Sequence, residues 1–194
     1  YNLEKAEVFR TPSLALTYSN EGLSGCSRKF HKWARLHKIA NGNTLRKVLL
    51  NSWEGVYFDI NEQRMEQMMN DIASMGGELF VMDDGWFGDK YPRKNDSYGL
   101  GDWTVDRTKL PGGLQSLLND ARKHGIRFGI WLEPEMTNTK SELYEQHPDW
   151  VIKAPERELI CDRGGTQVVL DLSNPKVQDF IVQTVDKLMT SYPN

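Results

Sequence analysis

The chain lacks several features that mark common classes of protein. Its 24 lysines and arginines are outnumbered by 27 aspartates and glutamates, and the net charge of −3 gives no basic field that would attract nucleic acid. No apolar run approaches the roughly 18 residues needed to span a bilayer, and no secretory signal segment occurs. We therefore expect neither a nucleic acid nor a membrane as a partner. The compartment is not decided, although the missing signal segment favours the cytoplasm.

Cysteine is scarce, and the common nucleotide-binding motifs are missing. Cys26 and Cys161 are far apart and have no metal-ligand spacing, so we predict two free, buried thiols and no metal site. His31 and His37 are predicted to be surface residues, because no second type of ligand lies at helical spacing from them. Neither a Gly-x-Gly-x-x-Gly turn after the first predicted strand nor a Gly-Lys-Ser/Thr loop is present, which disfavours dinucleotide and P-loop sites.

Strand and helix signals alternate along the rest of the chain. The apolar run 79–82 follows two glycines and predicts a buried parallel strand. Asn61 and Asn174 each precede an apolar helical stripe and predict N-caps. Strands are predicted at 48–50, 79–82, 126–132 and 168–172, and helices at 27–38, 62–75, 114–124, 141–146 and 175–191. This alternation predicts an α/β fold with a parallel sheet.

Acidic and aromatic residues follow the predicted strands. Asp83 and Asp84 come directly after the second strand, and Trp86 follows them. The carboxyl end of a strand in such a sheet is where ligands bind. Carboxylates accept hydroxyl hydrogen bonds strongly, and aromatic faces pack on the C–H faces of a sugar ring. The pattern suggests a sugar site, and the alternative is that the two acids cap a turn while Trp86 lies in the core.

Polar residues at several strand ends favour one type of parallel sheet. They fit a (β/α)8 barrel better than a doubly wound sheet, but only the first three to four βα units are present in this chain. The segment 89–108 is long for a simple connection and is predicted to be functional.

Six ordered motifs resemble those of the α-galactosidases of glycoside hydrolase family 36, also called melibiases. They are Asn51-Ser52-Trp53-Glu54, Asp83-Asp84-Gly85-Trp86-Phe87-Gly88, Leu100-Gly101-Asp102-Trp103, the run from Phe128 to Met136, His147-Pro148-Asp149-Trp150 and the run from Val169 to Pro175. The resemblance implies that residues 1–43 are a connecting segment from a missing N-terminal β-sandwich domain. Residues 44–194 would be the N-terminal part of the (β/α)8 catalytic barrel. The predicted strand 168–172 would then be an excursion after the third barrel strand.

The resemblance also implies a reaction. Such enzymes remove terminal α-linked galactose with retention, from substrates of the melibiose and raffinose type. In the family the nucleophile is the Asp of a Lys-Trp-Asp motif on the fourth strand, and the acid/base Asp lies on a later strand. Neither motif occurs here, so no catalytic residue is assigned in this chain and both are expected beyond Asn194. No metal or organic cofactor is implied, and a homo-oligomer is one possible state of the full-length protein.

The residues that match the family's galactose pocket follow from the same motifs. Asp83 and Asp84 would accept hydrogen bonds from the 4- and 6-hydroxyls, Trp53 and Trp131 would wall the pocket, and Arg163 would donate to hydroxyls and pair with a carboxylate.

Four further residues and two other functions stay open. Glu133 and Glu135 would either contact the substrate directly or organise the pocket through hydrogen bonds to the residues that line it. Trp103 and Trp150 would lie either in loop cores or at an outer subsite. A galactosyltransferase of the raffinose-synthase type would use the same pocket, and a non-catalytic galactose-binding fragment is the other alternative.

Overall fold

Two units make up the chain, Tyr1–Arg46 and Lys47–Asn194. The computed structural model describes residues 3–193, so the ends of the predicted segments 1–43 and 44–194 lie outside the described residues. The boundary predicted between residues 43 and 44 stays a prediction. In the first unit, helix α1 (Gly22–His37) begins five residues earlier than predicted, where an Arg28–Glu21 ion pair of 2.6 Å links its first turns to the preceding segment.

The second unit contains two sheets and the remaining helices. Its elements, in chain order, are β1 (Leu49–Asn51), α2 (Trp53–Val56), α3 (Glu62–Ser74), β2 (Leu79–Met82), α4 (Gly113–Lys123), β3 (Arg127–Ile130), β4 (Met136–Asn138), α5 (Glu142–Gln146), a 3₁₀ turn (Pro148–Trp150), α6 (Arg163–Thr166), β5 (Gln167–Val169) and α7 (Pro175–Ser191). Among the described residues no helix is both long and apolar enough to cross a membrane.

Strands β1, β2 and β3 form a parallel sheet in that order, as the alternation of strands and helices predicts. Leu49 pairs with Leu79, and Phe80 pairs with Phe128. The two faces of β2 differ in burial. Phe80 and Met82 on one face are fully buried, whereas Leu79 and Val81 on the other are only half-buried. The prediction of a strand buried on both faces is therefore wrong for the described chain.

Helices α3 and α4 cover the sheet through apolar stripes. Asn61 is the N-cap of α3, where its Oδ1 accepts a hydrogen bond of 3.0 Å from the Arg64 N–H. Met65, Met69 and Ile72 recur at helical spacing and are buried with the sheet residues. The main core therefore lies between this helical layer and the parallel sheet, and its packing leaves the carboxyl ends of the strands for the site.

The predicted strand 168–172 is β5, which belongs to a second sheet. It spans Gln167–Val169 and pairs antiparallel with β4, a strand that the sequence did not predict. The β4–β5 pair is separate from the parallel sheet, and the excursion after a third barrel strand stays a prediction. Asn174 caps α7 as predicted, with its Oδ1 accepting from the Lys176 N–H at 3.0 Å.

Both cysteines are free, but they are not buried. Cys161 is exposed and Cys26 is partly exposed, so the prediction of buried thiols is wrong. Cys161 lies in the irregular segment before β5, where no core forms around it.

Candidate carbohydrate site at the carboxyl ends of the parallel strands

The three parallel strands bring their following residues to one edge of the sheet. The Ser52 N–H donates to the Val81 carbonyl at 3.0 Å, and the Trp131 N–H donates to the Met82 carbonyl at 2.9 Å. These bonds extend the ladder by one residue on each side of β2. Asp83, the first residue after β2, therefore emerges between the segments that follow β1 and β3.

Asp83 is held by its neighbours at this edge. Its Oδ2 accepts a hydrogen bond of 2.6 Å from Asn51 Nδ2, and its Oδ1 accepts one of 2.8 Å from the Asp84 N–H. Its own N–H donates to Ser52 Oγ at 3.0 Å. The side chain is half-buried, and a carboxylate oxygen can accept more than one hydrogen bond. Asp83 is thus a fixed acceptor that retains capacity for a hydroxyl group.

Asp84 is buried and paired with an arginine that the sequence analysis missed. Arg93 Nε lies 2.9 Å from Asp84 Oδ1, and Arg93 Nη2 lies 2.7 Å from Oδ2, which is a bidentate contact. Asp84 is 4% exposed and Arg93 0%. Burial raises the pKa of the Asp84 carboxyl, and the hydrogen bonds and charge of Arg93 oppose that rise. The carboxylate partner of Asp84 is thus Arg93, and the pairing of Arg163 with a carboxylate that the resemblance implies stays a prediction.

A half-buried lysine shapes the same loop. Lys109 Nζ donates to three backbone carbonyls, those of Phe58 at 2.9 Å, Gly85 at 2.6 Å and Arg93 at 2.9 Å. Burial lowers the pKa of Lys109. Because two of these carbonyls belong to residues beside Asp84 and at Arg93 itself, Lys109 fixes the backbone on both sides of the ion pair.

Half-buried indole rings flank the acids along the chain. Trp53 makes edge contacts with Tyr57 and Phe58, with ring centroids 5.2 and 5.0 Å apart. The Trp131 ring stacks at 6.3 Å on Phe87. Trp53 and Trp131 each keep part of their surface exposed, whereas Trp86 is fully buried, as the alternative interpretation of that residue predicted.

Trp103 and Trp150, the two tryptophans whose location the sequence left undecided, have different surroundings. Trp103 packs against Phe87 with ring centroids 4.6 Å apart and is half-buried at the aromatic cluster. Trp150 lies in the second core, stacked at 3.9 Å on His147. The loop-core interpretation therefore holds for Trp150.

Arg163 lies on a different segment from the strand-end residues. It is exposed, it precedes two glycines with positive φ, and it forms no ion pair within residues 3–193. Its charge lowers the pKa of Glu133, whereas burial, the larger effect, raises it. Glu133 Oε1 also accepts a hydrogen bond of 2.5 Å from Gln167 Nε2. The charge of Arg163 thus acts on Glu133, while Trp53, Asp83, Asp84 and Trp131 share the strand-end edge.

Within the part of the chain that the structure describes, no group of three His, Cys, Asp or Glu side chains is arranged to hold an ion. Paired carboxylates, amides and aromatic faces at the ends of parallel strands define a site suited to a polyhydroxylated ligand.

Comparison with known proteins identifies the family. The family model described as Melibiase matches residues 8–193, and the chain belongs to this family. It is 44% identical over 201 residues to α-galactosidase C of Emericella nidulans, an alignment that covers 98% of this chain and 26% of that protein. It is 42% identical over 193 residues to α-galactosidase AgaA of Geobacillus stearothermophilus, with the same coverage. The chain therefore spans about a quarter of the length of these relatives.

Solved structures agree with this assignment. The crystal structure of the family 36 enzyme AgaA matches with a TM-score of 0.83 and 42% identity, over 91% of this chain and 24% of that one. Variants of AgaA have been crystallised with stachyose and with 1-deoxygalactonojirimycin, and both match with a TM-score of 0.82. The α-galactosidase of Lactobacillus brevis matches at 0.79 with 38% identity, over 86% of this chain and 22% of that one. The α/β fold with a parallel sheet is thus that of the family 36 α-galactosidases.

Proposed function

We propose that this chain forms the galactose-binding part of an α-galactosidase, which removes terminal α-linked galactose from oligosaccharides of the melibiose and raffinose type. The observation that carries the proposal is the placement of Asp83 and Asp84 directly after β2, each held by a separate polar partner. The family membership and the sugar complexes of AgaA support the same substrate class.

Each predicted pocket residue has a chemical role in this proposal. Asp83 and Asp84 accept hydrogen bonds from the 4- and 6-hydroxyls of galactose. Trp53 and Trp131 pack their exposed ring faces on the apolar side of the sugar, and Arg163 donates to its hydroxyls. A site that satisfies a particular hydroxyl discriminates against the epimer that lacks it, because a buried acceptor is then left without a partner.

The proposed reaction is a retaining double displacement. It requires a nucleophilic carboxylate and an acid/base carboxylate roughly 5–5.5 Å apart. We assign neither role to an acid in this chain, and we expect both from residues beyond Asn194. The fold is accordingly proposed as the first βα units of a (β/α)8 barrel, which the parallel order of β1, β2 and β3 supports. On this proposal the 194 residues alone bind galactose but do not hydrolyse galactosides.

The test uses the protein in which this chain is continued to the length of its relatives. Wild type is expected to release free galactose from melibiose and raffinose. Asp83→Ala is expected to lower kcat/KM by about 100-fold, since it removes charged hydrogen bonds that contribute about 1.5–3 kcal/mol each. Asp89→Asn, an exposed acid in the following loop, is the control for loss of one negative charge. An inactive wild type, or an Asp83→Ala variant with unchanged kcat/KM, would overturn the proposal.

Sucrose added as an acceptor separates hydrolysis from transfer. A hydrolase releases free galactose in its presence, whereas an enzyme of the raffinose-synthase type forms a galactosylated sucrose and little free galactose.

A further inference from the structure

Arg93 is the most completely enclosed charged residue of the site. Its side chain is 0% exposed, and its guanidinium donates to Asp84, to the Tyr98 carbonyl at 3.1 Å and to Asn138 Oδ1 at 3.0 Å. It also lies over the Phe58 ring, 5.4 Å from the centroid. No exposed surface of Arg93 is left for a substrate, so it acts on a ligand only through its partners. Two of these are carboxylates, Asp84 at the strand-end edge and Asp96, whose Oδ1 lies 3.7 Å from Arg93 Nη2.

The bidentate contact restricts what Asp84 can do. A planar guanidinium that meets both carboxylate oxygens fixes the plane of the carboxylate. It also favours the ionised form, in which both oxygens accept hydrogen bonds and neither donates one. The lone pairs that Arg93 leaves unused therefore have set directions, which is a requirement for selecting one hydroxyl position over another.

The position of Arg93 is itself set by a distant strand. Asn138 in β4 accepts from Arg93 and from the Leu100 N–H at 2.9 Å, and its Nδ2 donates to the Asp96 carbonyl at 2.9 Å and to Thr166 Oγ1 at 3.0 Å. The amide group thus joins the loop that follows β2 to β4 and to the segment that precedes β5. Asp84 is oriented through Arg93 by a part of the chain that does not belong to the parallel sheet.

We propose that Arg93 is a positioning residue that determines which sugar hydroxyl the Asp84 carboxylate recognises. This inference rests on the proposed function, because it assumes that Asp84 faces the 4- or the 6-hydroxyl of galactose. The competing role is structural only, in which Arg93 holds the loop together and ligand selectivity does not depend on it.

The test compares an α-galactoside with its 4-deoxy and 6-deoxy analogues in the protein continued to the length of its relatives. Wild type is expected to lose about 30-fold or more in kcat/KM when the hydroxyl that Asp84 accepts is removed. In Arg93→Met, kcat/KM for the complete sugar is expected to fall to a similar degree. In this variant, removal of the same hydroxyl should lower kcat/KM by less than about 3-fold, because Asp84 is no longer held in the orientation that accepts it.

Two further variants separate positioning from loss of structure. Asn61→Ala removes the N-cap of α3 without removing a contact to Arg93 or to the Asp84 carboxylate. This variant is expected to have a lower free energy of unfolding than wild type. Its loss of kcat/KM on the deoxy sugar should be the same as that of wild type. Arg93→Lys keeps the charge but loses the bidentate contact, and should show a penalty between those of wild type and Arg93→Met. If Arg93→Met does not fold, the Arg93→Lys ratio decides the question.

The outcomes distinguish this inference from the function on which it rests. A wild type without activity on α-galactosides overturns the proposed function. An active wild type whose selectivity between the complete and deoxy sugars is unchanged in both Arg93 variants overturns only the positioning role.

Discussion

Asp102 joins the long loop after β2 to helix α5. Its Oδ2 accepts a hydrogen bond of 2.9 Å from the Glu142 N–H, and its Oδ1 accepts one of 2.9 Å from the Leu143 N–H. The residue is 7% exposed, and burial raises the pKa of its carboxyl from 3.8 to about 6, although the two backbone hydrogen bonds oppose the rise. At neutral pH the ionised carboxylate of Asp102 is therefore less stable in the folded chain than in water.

The direction of the pH effect follows from this raised pKa. Between about pH 4 and pH 6 the folded chain binds the proton of Asp102 more tightly than the unfolded chain does, so stability from this group falls as pH rises. The difference between the ordinary pKa and about 6 corresponds to about 3 kcal/mol in the free energy of unfolding at pH 7. In Asp102→Asn this dependence is absent, because an amide does not titrate in that range.

Urea unfolding of wild type and Asp102→Asn from pH 4 to pH 7 measures the effect. The free energy of unfolding of wild type minus that of the variant is expected to decrease by about 3 kcal/mol over this range. Asp89→Asn serves as the control for removing one carboxylate from the same loop. A difference between wild type and Asp102→Asn that stays constant with pH would refute the reasoning. The same trend in the control would assign the effect to overall charge.

Two other predictions concern stability. Ser141→Ala should lower the free energy of unfolding by about 1–2 kcal/mol, because Ser141 Oγ is buried and caps α5 by accepting from the Tyr144 N–H at 3.0 Å. Urea unfolding measures this loss, and a loss below about 0.3 kcal/mol would contradict the prediction. Gly88→Ala should destabilise the folded chain far more than Gly125→Ala does, although both glycines have positive φ. A Cβ at Gly88 would lie 2.3 Å from the Tyr91 carbonyl oxygen, whereas a Cβ at Gly125 would meet nothing within 4 Å. Equal thermal midpoints for the two glycine variants would show that this close contact is relieved without cost.

Local patterns predicted the secondary structure of the second unit well. Asn61 and Asn174 were identified as N-caps from their positions before apolar stripes, and both cap in the structure. Leu79–Met82 is β2 with the bounds that its apolar run predicted. Such signals are readable because capping and periodicity involve residues within a few positions of each other. Strand β4 was missed because Met136–Asn138 is short and has no apolar alternation of its own.

Local sequence patterns could not identify the polar partners of Asp83 and Asp84. Arg93 stands in an irregular loop without periodicity, and nothing around it distinguishes it from a surface arginine. Its partner Asn138 is 45 residues away in the chain, and Asn51 is 32 residues from Asp83. Arg163, by contrast, was selected from its motif, and the structure leaves its role in sugar binding a prediction.

By itself the amino-acid sequence determined the family, the alternation of strands and helices, and the arrival of Asp83 and Asp84 at the end of a strand. These properties depend on residue order and on short-range periodicity. Only the tertiary structure decided that Asp84 is buried against Arg93 while Asp83 stays half-buried beside Asn51. The two acids are adjacent in sequence, but successive side chains leave a strand in different directions, and each meets whatever the fold has brought to that side.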